Sequence, residues 1–285
     1  MLVFVGNSHL SAIMAAAQVD ASKAHGSKHV TAVKGALPAS IAGESSAYFV
    51  IGTETNRMNR YSDPKAEKLQ ANLPFAMLMG WLKSQWPACE KRGEAITIIC
   101  FPLGHEPWIA SLATRGQAFQ AFSPHRKSVS FRPDWPVLPY RCVQQKAASL
   151  FEPSAFMLGA LKDELPFASV HYCPGPPPIA EEAHHRKYGE IWIKESQGDV
   201  LLGRETRLAY FEAWYEAGKK ACEDLKVHFQ APPEACKDQE GFLQKAYWGD
   251  AFHANPAYGA LVLSALAKRV ESPPHKAALS PYVFA

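Results

Sequence analysis

Short apolar runs alternate with long amphipathic stretches along this chain, and that alternation limits the architectures open to it. Residues 2–6, LVFVG, read as a buried strand, because a continuous apolar run leaves no polar face for solvent. HVTAVKG (29–35) and AYFVIG (47–52) are two further short runs that end in glycine. From about Pro64 to Lys91, Leu69, Leu73, Ala76, Met77 and Gly80 recur at three- and four-residue steps, the spacing of one helix face. AITIICFPLG (95–104) is apolar and rich in β-branched residues, as a strand covered on both faces would be. Helical patterns over about 141–164 and 204–226 enclose PFASVHYCPGPPP (166–178), a strand that runs into prolines. KVHFQAPP (226–233) reads as a last short strand and PAYGALVLSALAKRV (256–270) as a closing helix. Strands and helices in this order specify an α/β fold with a mostly parallel sheet and helices on both faces, expected as one domain over 1–285.

Two segments break the pattern. Residues 120–140 contain Pro124, Pro133, Pro136 and Pro139 without periodicity, as a lid or the rim of a pocket would. Residues 179–203 are polar and charged. Composition agrees with a folded chain: 47% hydrophobic and 20% charged residues support a sizeable core. A net charge of +3, with basic residues scattered, speaks against a nucleic-acid surface. No apolar run approaches the roughly 18 residues of a membrane span. The amino terminus lacks the positive start and long apolar core of a secretory signal. The six cysteines show no C-x-x-C spacing and fit reduced thiols, so a cytoplasmic location is expected.

In a parallel sheet of this kind ligands bind beyond the carboxyl ends of the strands. GNSH (6–9) follows the first strand there, and PLGHEP (102–107) and PGPPP (174–178) follow later ones. The corner VGNSHL has one glycine and no lysine, so it matches neither the dinucleotide loop nor the P-loop, although a helix amino terminus can still bind phosphate. Ser8 in the first turn of a helix would expose its hydroxyl beside backbone N–H groups able to hold an oxyanion. The plain alternative is that Ser8 or Asn7 caps the helix. A serine nucleophile needs a base. YWGDAFHANPAYG, just before the closing helix, supplies one: Asp250 and His253 form the chain's sole Asp-x-x-His, a spacing at which the carboxylate can orient the imidazole. Glu181/His184 and Glu182/His185 share the spacing, and are read as a solvated face or, alternatively, half of a metal site. His9 is read as structural, and the aromatics of AYFEAWYEAG (209–218) as packing.

A serine after the first strand together with Asp-x-x-His before the last helix resembles the SGNH or GDSL-type hydrolase superfamily. Gly6-Asn7-Ser8 stands where members usually carry Gly-Asp-Ser, and HAN (253–255) is close to the His-Pro-Asn of many members. The resemblance implies a three-layer α/β/α, flavodoxin-like fold. It implies Ser8 as nucleophile, His253 as general base and then acid, and Asp250 as its orienting partner. Family members complete the oxyanion hole, beside the amide of the nucleophile (here Ser8), with a glycine from an early loop and an asparagine from a Gly-x-Asn block. This chain departs at the asparagine: FPLGHEPW places His105 there, and Asn56 in GTETN is another candidate donor. For the glycine, Gly35 in VKGAL is expected by location, with Gly43 as the alternative. No metal or organic cofactor is implied. The expected function is a serine hydrolase cleaving a carboxylic ester, with a carbohydrate O-acyl group as the substrate class suggested by family analogy. Acyl transfer to a sugar hydroxyl by the same residues, and a non-catalytic binding protein that keeps the fold, stand as alternatives.

Overall fold

A computed structural model gives the structure of residues 1–6, 9–18, 25–27, 30–35, 46–51, 73–102, 113–114, 117–126, 129–189 and 200–270. The central sheet contains β1 (Leu2–Gly6), β2 (His25–Ser27), β3 (Val30–Gly35), β4 (Ser46–Ile51) and β5 (Ile96–Cys100), with β7 (Ala168–Tyr172) and β9 (His228–Phe229) beyond them. Its spatial order is β2-β3-β4-β1-β5-β7-β9. β6 (Ala113–Thr114) and β8 (Val200–Leu201) form a separate antiparallel pair. The helices are α1 (Leu10–Ala16), α2 (Leu73–Lys91), α3 (Tyr140–Glu164), α4 (Glu182–Tyr188), α5 (Arg204–Leu225) and α6 (Pro256–Val270).

Five neighbouring strands, β4-β1-β5-β7-β9, are parallel. Numbered among themselves in chain order they read 2-1-3-4-5, the doubly wound flavodoxin-like order. The order reverses beside β1, so the crevice for a ligand lies between the carboxyl ends of β1 and β5, where Val5 is opposite Cys100.

At the other edge the expectation of simple alternation needs a correction. β3 runs antiparallel to β4, with Val30 opposite Ile51 and Gly35 opposite Ser46, and β2 folds back antiparallel on β3. The reason is chain length. Only residues 36–45 separate β3 from β4, and a parallel crossover needs about a dozen residues or more.

Both faces of the sheet are covered. Alternate residues of β1 point to opposite sides. Val3 and Val5 join Ile96, Ile98, Val170 and Tyr172 under α2, α3 and α5, where Leu82, Phe151, Leu158 and Trp214 are buried. Leu2 and Phe4 join Ile99 and Phe101 under α1 and α6, where Leu10, Ile13, Tyr258 and Leu263 are buried. These two cores give the three-layer α/β/α arrangement. With exposures of 0–1%, Leu2, Val3, Phe4 and Val5 each contribute about 1.5–3 kcal/mol by leaving water. The aromatic series of α5 is packing: Trp214 sits edge-on to Phe151 with centroids 4.9 Å apart.

The described parts of the proline-rich excursion, 120–126 and 129–140, are tied together at Gln120, whose N–H donates to the Pro136 carbonyl and whose carbonyl accepts the Leu138 N–H. Buried Gln120 donates from Nε2 to the carbonyls of Arg132 and Trp135, at 2.8 and 2.7 Å, and accepts the Arg132 N–H at 3.0 Å. All three contacts lie within the loop, so they fix its shape without help from periodic structure. Among the described residues no helix is long and apolar enough to cross a membrane.

Candidate active site

Residues 248–255 form a tight loop that ends at α6. Trp248 and Ala254 make an isolated antiparallel bridge, and the Gly249 N–H donates to the His253 carbonyl at 3.0 Å. A side chain at position 249 would place its Cβ 2.4 Å from that same carbonyl oxygen, so the loop closes only around glycine. Asn255 ends the loop as the helix cap: its Oδ1 accepts the N–H groups of Ala257 and Tyr258 at 3.0 and 3.3 Å. Pro256 follows as the first helical residue, where a missing N–H costs nothing. The run HAN-P therefore has a local structural explanation for its Asn and Pro, and His253 is held one turn ahead of them.

Asp250 is used on both oxygens. Oδ1 accepts the backbone N–H groups of Phe252 and His253, each at 2.9 Å, and Oδ2 lies 2.7 Å from His253 Nδ1. The first pair fixes the carboxylate within its turn, and the second orients the imidazole. Burial pushes the Asp250 carboxyl up, but the hydrogen bond and charge of His253 and the two N–H groups outweigh it and bring it to about 2 from an ordinary 3.8. The sign follows: the ionised carboxylate stabilises the fold above about pH 4 and loses that contribution as pH falls toward about 2. The difference in urea midpoint between wild type and Asp250→Asn is expected to shrink over that window, and a constant difference from pH 5 to 2 would contradict it.

Two further histidines meet this pair. His9, at the entrance of α1, is 5% exposed, and its ring centroid lies 4.9 Å from that of His253, tilted by 55°. The residue after Ser8 in sequence thus packs against the imidazole, although some 240 positions separate them in the chain. His184 of α4 places Nε2 3.1 Å from the Asp250 carbonyl and packs its ring 5.0 Å from Trp248. The reading of EEAHH as a solvated face is corrected here. His184 docks on the Asp250 loop. His185, 2% exposed, places Nε2 2.8 Å from the Ile179 carbonyl. Glu181 is the exposed member, and half-buried Glu182 pairs with Arg132 and Arg186. Among the described residues no group of three or more His, Cys, Asp or Glu is placed to hold a metal.

The other expected site residues fare differently. Ser8, Asn7, His105, Asn56 and Gly43 lie outside the described residues. Gly35 does not belong at this edge. It is opposite Ser46, which is opposite Leu2, so Gly35 lies at the amino-terminal end of β1 while the Asp250–His253 loop faces the far end. The reversed direction of β3 is the cause, and Gly35 is withdrawn as an oxyanion donor. His184 and His9 are the contacts that sequence reasoning missed. Their only signal is their residue type, since both partners are remote in sequence.

No family model matches the chain, and no curated protein matches it. Among solved structures the chain is similar to a Bacteroides fragilis protein described as an acylhydrolase, with 12% identity, 95% of this chain and 86% of that one covered, and a TM-score of 0.45. It is similar to a carbohydrate acetylesterase from Sinorhizobium meliloti at 14% identity, covering 95% and 98%, with a TM-score of 0.39. It is also similar to a GDSL-like lipase from Parabacteroides merdae at 11% identity, covering 95% of each chain, with a TM-score of 0.37.

Proposed function

We propose that this chain is a serine hydrolase of the SGNH/GDSL type that cleaves a carboxylic ester through an acyl-enzyme. The observation that carries the reading is the Asp250–His253 pair, oriented at 2.7 Å and packed against His9 where β1 gives way to α1. A carboxylate on Nδ1 keeps the proton there, which makes Nε2 the nitrogen that acts as the base. Ser8 Oγ attacks the acyl carbonyl as His253 Nε2 takes its proton. The same proton passes to the leaving alcohol, and water, activated by His253, releases the acyl group. The Ser8 amide holds the developing oxyanion, with His105 or Asn56 as the side-chain donor. A carbohydrate O-acyl ester is the substrate class proposed.

Labelling by a fluorophosphonate probe tests the assignment. Wild type is expected to label and to hydrolyse p-nitrophenyl acetate, and Ser8→Ala to do neither. Equal labelling of both proteins, or no hydrolysis of any short-chain aryl ester, would defeat the reading.

A further inference from the structure

A cavity of about 270 Å3 lies at the start of α5, lined by Arg132, Trp135, Glu182, Arg204, Glu205 and Arg207 among others. α5 leads into β9, which is parallel to β7, so its amino terminus stands at the carboxyl edge of the sheet. The Asp250–His253 pair uses that same edge, and α4 touches both places: His184 bonds the Asp250 carbonyl while Glu182 lines the cavity.

Among the described residues the charges around the cavity do not balance. Glu182 is 3.2 Å from Arg132 and 2.6 Å from Arg186. Glu205, 6% exposed, is 3.3 Å from Arg126 and 3.7 Å from Arg204. Arg204 also reaches Glu240. Arg207, 2% exposed, forms no direct ion pair with a carboxylate among the described residues, and the charge of Glu182 acts on it only from a distance. Its Nη atoms donate to the carbonyls of Leu202, Ile179 and Ala180, and its Nε–H has no hydrogen-bond partner among the described residues. Neighbouring His185 adds no second positive charge. Burial, and then the Arg207 charge, hold its imidazole at about 3, so it stays neutral. A buried cation that makes no direct ion pair with a described carboxylate is costly, and a ligand can bring an anion to contact distance.

The helix start adds donors to the same space. The first N–H groups of a helix have no partner within it, and Gly203 provides no side-chain cap. The Thr206 hydroxyl does not cap either, since it accepts the Ala121 N–H at 3.0 Å. The helix dipole there favours negative charge. Against these donors stand two carboxylates, suited to accepting hydroxyl groups, and an indole, Trp135, with the Arg132 guanidinium 4.5 Å over it. At roughly 30 Å3 per water, the space equals about nine waters, more than a bare oxyanion fills and enough for one sugar ring.

We propose that this cavity binds a small polyhydroxylated anion, a sugar acid or sugar phosphate, with its oxyanion toward Arg207, Arg132 and the opening N–H groups of α5. The proposal does not depend on ester hydrolysis, and its test reads binding alone. Full-length protein at low salt is titrated calorimetrically with glucuronate, glucose 6-phosphate and, as a neutral control, glucose. At least one anion is expected to bind saturably while glucose does not, and the one that binds identifies carboxylate or phosphate as the charged group. Arg132 is half exposed, so Arg132→Gln is expected to fold; it should weaken binding about tenfold, as loss of one charge-assisted contact does. Arg204→Gln is a second such variant. No saturable binding of either anion up to about 10 mM, equal binding of glucose, or unchanged affinity in both folded variants would overturn the assignment.

Discussion

Asp250→Asn is expected to lower kcat/KM for an aryl acetate about 10⁴-fold, almost entirely through kcat. The size of the effect comes from the tautomer, since a single neutral hydrogen bond is worth only about 1 kcal/mol, a factor of roughly five. An asparagine here has no freedom to compensate. Two backbone N–H groups point at the Oδ1 position, so the amide oxygen must stay there to accept them. The amide NH2 is then turned toward His253 Nδ1, where the carboxylate oxygen stood at 2.7 Å. Facing a donor, Nδ1 must act as acceptor, and the imidazole proton moves to Nε2. An imidazole protonated on Nε2 cannot take a proton from a serine. At about 1.4 kcal/mol per tenfold, the 10⁴-fold loss amounts to about 5.5 kcal/mol in the barrier. Steady-state kinetics across pH 5–9, with circular dichroism to confirm folding, measure it. A loss below tenfold in a folded variant would show that the carboxylate does not set the state of the base.

The parts of this structure that could be read in the sequence share a property: their cause is local. The runs at 2–6 and 256–270 match β1 and α6 at both ends, because a continuous apolar run and an Asn-Pro start carry their own boundaries. The helix over 204–226 and the strand within 95–104 were legible for the same reason, as β5 and α5 show. Asp250 and His253 are three residues apart, so their contact was also a local matter. What could not be read depends on distant partners. Strand direction is one case: VTAVKG has the pattern of any buried strand, and only its antiparallel pairing with β4 sends Gly35 to the wrong end of the sheet. Polar residues that bond to remote backbone carbonyls are another. His184 reaches a carbonyl 66 positions away, and Arg207 reaches carbonyls at 179 and 180. Hydrophobic periodicity says nothing about such bonds, and it files their owners with the solvent-facing residues. The short pieces α4, β6 and β8 were missed because so few residues give no period to detect.

Gly259→Ala is expected to destabilise the protein by about 2–4 kcal/mol, whereas Gly80→Ala should stabilise it by about 0.5–1 kcal/mol. Both glycines lie inside helices, and in both the added methyl brings the same gain in helix propensity. Space decides the sign. Around Gly80 nothing lies within 4 Å of an added Cβ. At Gly259 the methyl would stand 2.0 Å from the Ala12 oxygen, 2.5 Å from its carbonyl carbon and 3.0 Å from the Ile13 nitrogen, all backbone atoms of α1. No rotamer change relieves a clash with backbone, so α1 and α6 must separate. Separation loosens the packing of Leu10, Ile13, Tyr258 and Leu263, which these helices bury between them and the sheet. Urea midpoints at constant m-value give the comparison. The same variant bears on catalysis, because α1 begins at Leu10, directly after His9, and α6 begins three residues after His253. Their backbone contact at Gly259 is what sets the 4.9 Å approach of the two imidazoles, so Gly259→Ala should also lower kcat while leaving the local Asp250–His253 bond intact. A Gly259→Ala protein as stable and as active as wild type would mean that the two ends of the chain do not meet through this helix crossing.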